Sequence, residues 1–126
     1  MPTRYTCTVI SGHGRGKDLG YPTLNLTIPD EFLYDPGIYA AWIWVEGIAY
    51  RGALHYGPIP VFQEDKWSLE VFLLDYEEAV RPIEVQLEMT EYLRPIENFP
   101  TLEAMQAQIH QDVRAVYALL QDSPVD

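Results

Sequence analysis

Apolar and polar residues alternate along most of the chain, and the period changes only after Pro100. The clearest alternation sets Ile83, Val85, Leu87 and Met89 against Glu84, Gln86, Glu88 and Thr90, predicting a strand with one face on a core and the other in water. On that reading its glutamates need no functional explanation. Similar runs predict strands over 4–10, 24–28, 37–45, 48–56 and 67–75, with the last covering 83–93. Glu46 and Gly47 read as a tight hairpin turn between the third and fourth. Beyond Pro100, Leu102, Met105, Ile109, Val113, Val116 and Leu120 follow a spacing of threes and fours, which predicts one helical stripe, with Thr101 as its N-cap. The pattern is a mainly β domain, largely antiparallel, closed by one C-terminal helix. Periodicity leaves barrel and sandwich equally open.

Composition narrows the picture. With 126 residues and 48% hydrophobic content, the chain reads as a single domain, 1–126, around one core. No apolar run approaches the ~20 residues of a membrane span, and the start lacks an unbroken apolar stretch, so a cytoplasmic protein is expected. The lone Cys7 alternates with Tyr5 and Val9 and reads as a buried strand position. Eight basic against nineteen acidic residues give a formal charge of −11, which argues against nucleic acid as a partner. A nucleotide site would have to hold its cations locally. Nothing demands more than a monomer.

Three segments could carry chemistry. Gly12-His13-Gly14-Arg15-Gly16-Lys17-Asp18-Leu19-Gly20 combines alternate glycines, which let amides turn toward an anion, with two cations. It has neither Walker spacing nor a dinucleotide fingerprint, and such a loop is more often a plain turn. In Tyr21-Pro22-Thr23-Leu24-Asn25-Leu26, the leucines share one strand face with Ile28 and leave Thr23 and Asn25 on the other. Two neutral oxygen donors suit Mg²⁺, although a solvated polar face reads the same way. Glu70 interrupts a nearly continuous apolar strand, on the face of Phe72 and Leu74, either as an exposed edge residue or as a partly desolvated base. His13, His55 and His110 have no second ligand at metal spacing, so zinc is not expected. Tyr39, Trp42 and Trp44 read as packing aromatics.

Together and in this order, these segments resemble the riboflavin kinase family. Residues 12–26, GHGRGKDLGYPTLNL, are similar to its GxGRG loop, Leu-Gly-aromatic step and Pro-Thr-Ala-Asn strand. Leu69-Glu70-Val71-Phe72-Leu73-Leu74-Asp75 looks like the strand bearing its catalytic glutamate, and Tyr92-Leu93-Arg94-Pro95, Asn98-Phe99 and the helix resemble its closing segment. The resemblance implies a six-stranded antiparallel Greek-key barrel with the helix outside. It also implies an ATP:riboflavin 5′-phosphotransferase that turns riboflavin and ATP into FMN and ADP. Gly12, Gly14, Arg15 and Lys17 would then cover the nucleotide phosphates, with Pro22 and Thr23 bordering that pocket. Thr23 and Asn25 would hold Mg²⁺, Glu70 would be the catalytic base, and Arg94 would lie on the flavin side.

The chain departs from the family pattern at identifiable places. Leu24 replaces the usual alanine, and on this reading faces the core. Where the family commonly has Asn-x-Gly-x-x-Pro-Thr-Phe, this chain has His55-Tyr56-Gly57-Pro58-Ile59-Pro60-Val61-Phe62, and the expected Tyr-Gly turn is replaced around Val80-Arg81-Pro82. These changes motivate an alternative, a flavin-binding or regulatory module that has lost kinase activity; a third reading is an acidic barrel that docks a protein. With one domain, adenylylation of FMN would fall to another protein.

Overall fold

The structure is a computed structural model that describes residues 3–10, 20–58, 66–77 and 81–124. Six strands, β1 (Tyr5–Ile10), β2 (Thr23–Leu26), β3 (Gly37–Val45), β4 (Ile48–Pro58), β5 (Trp67–Leu73) and β6 (Glu84–Arg94), precede one helix, α1 (Leu102–Leu119). All pairings are antiparallel and the strands close into a barrel in the order β1-β2-β5-β4-β3-β6. The hairpins β3-β4-β5 form its middle. β2 returns beside β5 and β6 beside β3, so each supplies the fourth strand of a Greek key. Closure decides between the two architectures that periodicity left open.

The turn between β3 and β4 is the one the sequence predicts. Val45 and Ile48 pair across it, and Glu46 and Gly47 both have positive φ, 51° and 83°, which matches the right-handed twist of the flanking strands. Inside the barrel, Cys7, Leu24, Leu26, Ile43, Leu54, Leu69, Val71, Leu73, Val85 and Leu87 pack in one core. Tyr5, Phe32, Tyr34 and Tyr56 join it through edge-on and tilted ring contacts 4.8–6.3 Å apart. Outside, Val113 and Val116 of α1 and Leu120, its C-cap, pack with Ala40, Trp42, Trp44 and Ala53. With both faces covered, every residue of β3 is buried, as its unbroken apolar sequence requires.

Two arginines tether the helix. Arg51 on β4 donates from Nε to the carbonyl of Leu120 and, at 3.0 Å, from Nη2 to that of Gln121, placing a cation on the C-terminal carbonyls. Arg94 grips Asp112 near the middle of the helix. Thr101 caps the N-terminus, its hydroxyl accepting from the Ala104 amide at 3.1 Å.

Several expectations are corrected. Ile83 is 82% exposed because β6 begins only at Glu84; its carbonyl instead accepts from the Val9 amide. Ile28 also lies beyond the end of its strand and is exposed. Glu88 is buried opposite Trp42 rather than water-facing. Leu102 is exposed, because the first helical turn rims a cavity instead of resting on the barrel. His55 is interior to β4, which runs on to Pro58. Glu70 is 1% exposed, which removes the edge-residue reading.

Burial pushes the Cys7 thiol up to about 11 from 9.0. A raised value favours the protonated folded form, so this contribution is complete below pH 9 and is lost as pH rises toward 11. The thermal midpoint is therefore expected to fall above pH 9, less steeply in Cys7→Ala, and a pH series of melting curves checks this. In urea titrations Leu54→Ala is expected to cost ~2–5 kcal/mol, against at most ~0.5 kcal/mol for the exposed Leu33→Ala.

Candidate active site

The interior leucines fix which way the polar residues of β2 face. Leu24 and Leu26 point into the barrel, so Thr23 and Asn25 belong to the outer face, where both are nonetheless buried. Leu69 and Val71 do the same for β5, sending Glu70 and Phe72 outward. Pairing then aligns the two strands, with Asn25 opposite Glu70 and Thr23 opposite Phe72. Directly opposed residues have Cα atoms about 4.5–5.5 Å apart. The row continues from Glu70 to His55 on β4, to Ile38 on β3 and to Arg94 on β6. Asn25, Glu70, His55 and Arg94, remote in sequence, thus form one belt across the barrel.

Above that belt is a cavity of about 640 Å³. Glu70, His55, Phe72, Ile38 and Ala53 form its floor, α1 contributes Met105, Ile109 and Asp112, and residues 96–101 form the remaining wall. It is large enough for a tricyclic ring system with a polyol chain, and mostly apolar, with Glu70, Glu97 and Asp112 among its lining. The Ser68 hydroxyl lies 3.5 Å from Nδ1 of His55. A second, more open depression of about 680 Å³ is lined by Gly20, Tyr21, Pro22, Leu73, Leu74, Asp75, Tyr76 and Tyr117. The two share β5. There the Leu73 amide donates to the Pro22 carbonyl at 2.9 Å, and Tyr117 donates to Asp75 at 2.7 Å. Burial, followed by that bond to Asp75, raises the Tyr117 hydroxyl to about 12.

The sequence-predicted residues divide into three groups. Thr23, Asn25 and Glu70 come together on neighbouring strands of one face. Pro22 borders the second depression and Arg94 the first, but Arg94 spends its donors on Asp112 and on the Pro95 carbonyl. Gly12, Gly14, Arg15 and Lys17 lie outside the described residues, as do Val61 and Val80. The sequence pattern does not single out Asp112; its signal is an acidic residue beside Val113 in an apolar helical stripe, one turn after Ile109.

The donor set fits a hard cation. Thr23 and Asn25 offer two neutral oxygens two residues apart on one face, and the Thr23 hydroxyl donates to the Tyr21 carbonyl at a long 3.4 Å. Among the described residues no three His, Cys, Asp or Glu side chains gather into a metal cage. Such a pair would complete its cation's shell with water and phosphate oxygens, as Mg²⁺ prefers.

The sequence matches the family described as flavokinase, riboflavin kinase, over residues 1–120. This chain belongs to the riboflavin kinase family. It is 32% identical over 120 residues to the bifunctional riboflavin kinase/FMN adenylyltransferase of Listeria monocytogenes, covering 91% of this chain and 38% of that protein. It is 39% identical over 114 residues to the bifunctional riboflavin kinase/FMN phosphatase of Arabidopsis thaliana, covering 82% of this chain and 29% of that protein. The chain therefore spans only about a third of the length of these riboflavin kinase relatives. The crystal structure of riboflavin kinase from Trypanosoma brucei superposes with a TM-score of 0.64 at 20% identity, over 94% of this chain and 81% of that one, and shares the riboflavin kinase barrel.

The facing of Asn25 and Glu70 has a measurable consequence. Asn25→Asp would set two carboxylates opposite each other in a buried position, a destabilising arrangement once both ionise. Its stability deficit is expected to grow between about pH 4 and pH 7. Adding Glu70→Gln should remove most of that growth, and a double-mutant cycle in urea checks the coupling.

Proposed function

We propose that this chain is a riboflavin kinase, transferring the terminal phosphoryl group of ATP to the 5′-hydroxyl of the ribityl chain of riboflavin, with FMN and ADP as products. The observation that carries the reading is the placement of Glu70 on the floor of a flavin-sized cavity, directly across from Asn25 and diagonal to Thr23.

In this reading the isoalloxazine ring occupies the apolar cavity between the barrel, α1 and residues 96–101, and the ribityl chain runs toward Glu70. The Glu70 carboxylate accepts the proton of the terminal hydroxyl as that oxygen forms its bond to the γ-phosphorus and the bond from phosphorus to the bridging oxygen of ADP breaks. Arg94 belongs to the flavin-side wall. Thr23 and Asn25 hold Mg²⁺, which neutralises phosphate charge when bound. Gly12, Gly14, Arg15 and Lys17 cover the phosphates, and Thr23 and Pro22 edge the nucleotide side, next to the second depression. Alignment and charge neutralisation supply most of the acceleration in such a transfer, and the base adds about 10²–10⁴-fold.

The formal charge of −11 supports a protein that works on small molecules rather than on nucleic acid. No helix among the described residues is long and apolar enough to cross a membrane. We place the enzyme in the cytoplasm, as a monomer without a membrane partner.

Incubating the protein with riboflavin, ATP and Mg²⁺ is expected to yield FMN and ADP in equal amounts, resolved by chromatography. Glu70→Gln keeps the shape but cannot accept the proton, and is expected to lower kcat by about 10²-fold or more with little change in the KM for ATP. Undiminished turnover in this variant would exclude Glu70 as the base. Flavin binding without any product in the unaltered protein would instead favour a flavin-binding module that lacks kinase activity.

A further inference from the structure

We infer that Asp112 is a positioning residue for the flavin side of the site, fixing the wall of the cavity through Arg94. The inference rests on the riboflavin kinase reading above. Arg94 is the last residue of β6, the point at which the chain leaves the barrel to build that wall. Its guanidinium meets Asp112 as a two-pronged fork, Nε to Oδ1 at 2.9 Å and Nη2 to Oδ2 at 2.8 Å. Nη1 donates to the Pro95 carbonyl at 3.0 Å, Glu97 lies 3.8 Å away, and the Phe99 ring sits 5.8 Å from Cζ. On the helix side, Gln108 donates to Oδ1 of Asp112 at 3.0 Å. One planar group thus joins the barrel, the helix and the connecting wall.

Burial makes this arrangement costly. Asp112 is 6% exposed, between Ile109 and Val113 on the stripe that meets the barrel. A buried ion pair seldom stabilises more than an apolar pair of the same volume would. What a bidentate fork adds is fixed distance and orientation. The fixed object here is the wall: Phe99 and Ile96 line the same cavity as Ile38, Phe72 and Glu70. A planar ring bound there depends on where this wall stands, whereas β2, which bears Thr23 and Asn25, pairs with β1 and β5 and not with β6.

The test measures riboflavin affinity by quenching of flavin fluorescence, together with steady-state KM for each substrate. Asp112→Asn, which breaks the fork, is expected to raise Kd and KM for riboflavin about tenfold while kcat and the KM for ATP stay within about twofold. Because Asp112→Asn strands the Arg94 charge, the paired change Arg94→Met with Asp112→Leu provides a second variant that removes both charges of the pair. It is expected to melt near the unaltered protein and to show the same weakened riboflavin binding. Unchanged riboflavin affinity in either folded variant would overturn the inference. So would equal losses in kcat and in both KM values, which would mark a general structural role. If the unaltered protein itself neither binds riboflavin nor makes FMN, the functional reading fails instead.

Discussion

Everything in this domain turns on the pairing of β2 with β5. β2 has four residues, Thr23–Leu26, yet it joins β1 to β5, and without it the sheet has two free edges instead of none. Its register is set by packing, because Leu24 and Leu26 must enter the core opposite Val71 and Leu69. A slip of one residue would turn both leucines outward and carry Asn25 inside. The hydrophobic effect that closes the barrel therefore also places Asn25 against Glu70. Stability and the candidate chemistry share one constraint.

The outer face shows how a small barrel obtains a deep site. A closed barrel of six strands is filled by its own side chains and leaves no room inside for a ligand. The cavity arises outside instead, where α1 lies across β3, β4 and β6 and the chain bridging β6 to α1 arches over the floor. Val116, Val113 and Leu120 seat the C-terminal half of the helix on Trp42 and Trp44, and Arg51 holds its end. The N-terminal half rims the cavity, with Leu102, Met105 and Ile109 in its lining. At the other end of the belt, Gly37 lies where β3 passes the end of β6; a Cβ there would collide with the Tyr92 ring and come within 3.0 Å of the Arg94 carbonyl.

Much of this was legible in the residues, for definite reasons. Strands with one wet face alternate visibly, and β3, covered on both sides, announces itself as an unbroken apolar run. Thr101 and the helical stripe marked α1, and Glu46-Gly47 marked its turn. Glu70 stands out as a carboxylate in an apolar run, but its complete burial is not legible in the sequence, because it depends on which strands and which helix lie over it. Register was hidden for the same reason. β6 shows the limit most clearly: its pairing with β3 shifts twice, near Thr90 and Leu93, so that Tyr92 rather than Leu93 faces Tyr39. Simple alternation assigns those residues to the wrong faces. Asp112 belongs to a third kind, a polar residue whose partner, Arg94, is 18 positions away and identifiable only in space.

In the proposed kinase, Thr23, Asn25 and Glu70 serve one reacting centre. A crystal structure with ADP, Mg²⁺ and riboflavin bound measures this most directly. It should show the metal about 2.1 Å from the side-chain oxygens of Thr23 and Asn25, and the terminal ribityl hydroxyl within about 3 Å of the Glu70 carboxylate. A metal coordinated elsewhere, or a flavin bound away from the cavity over Glu70, would contradict it.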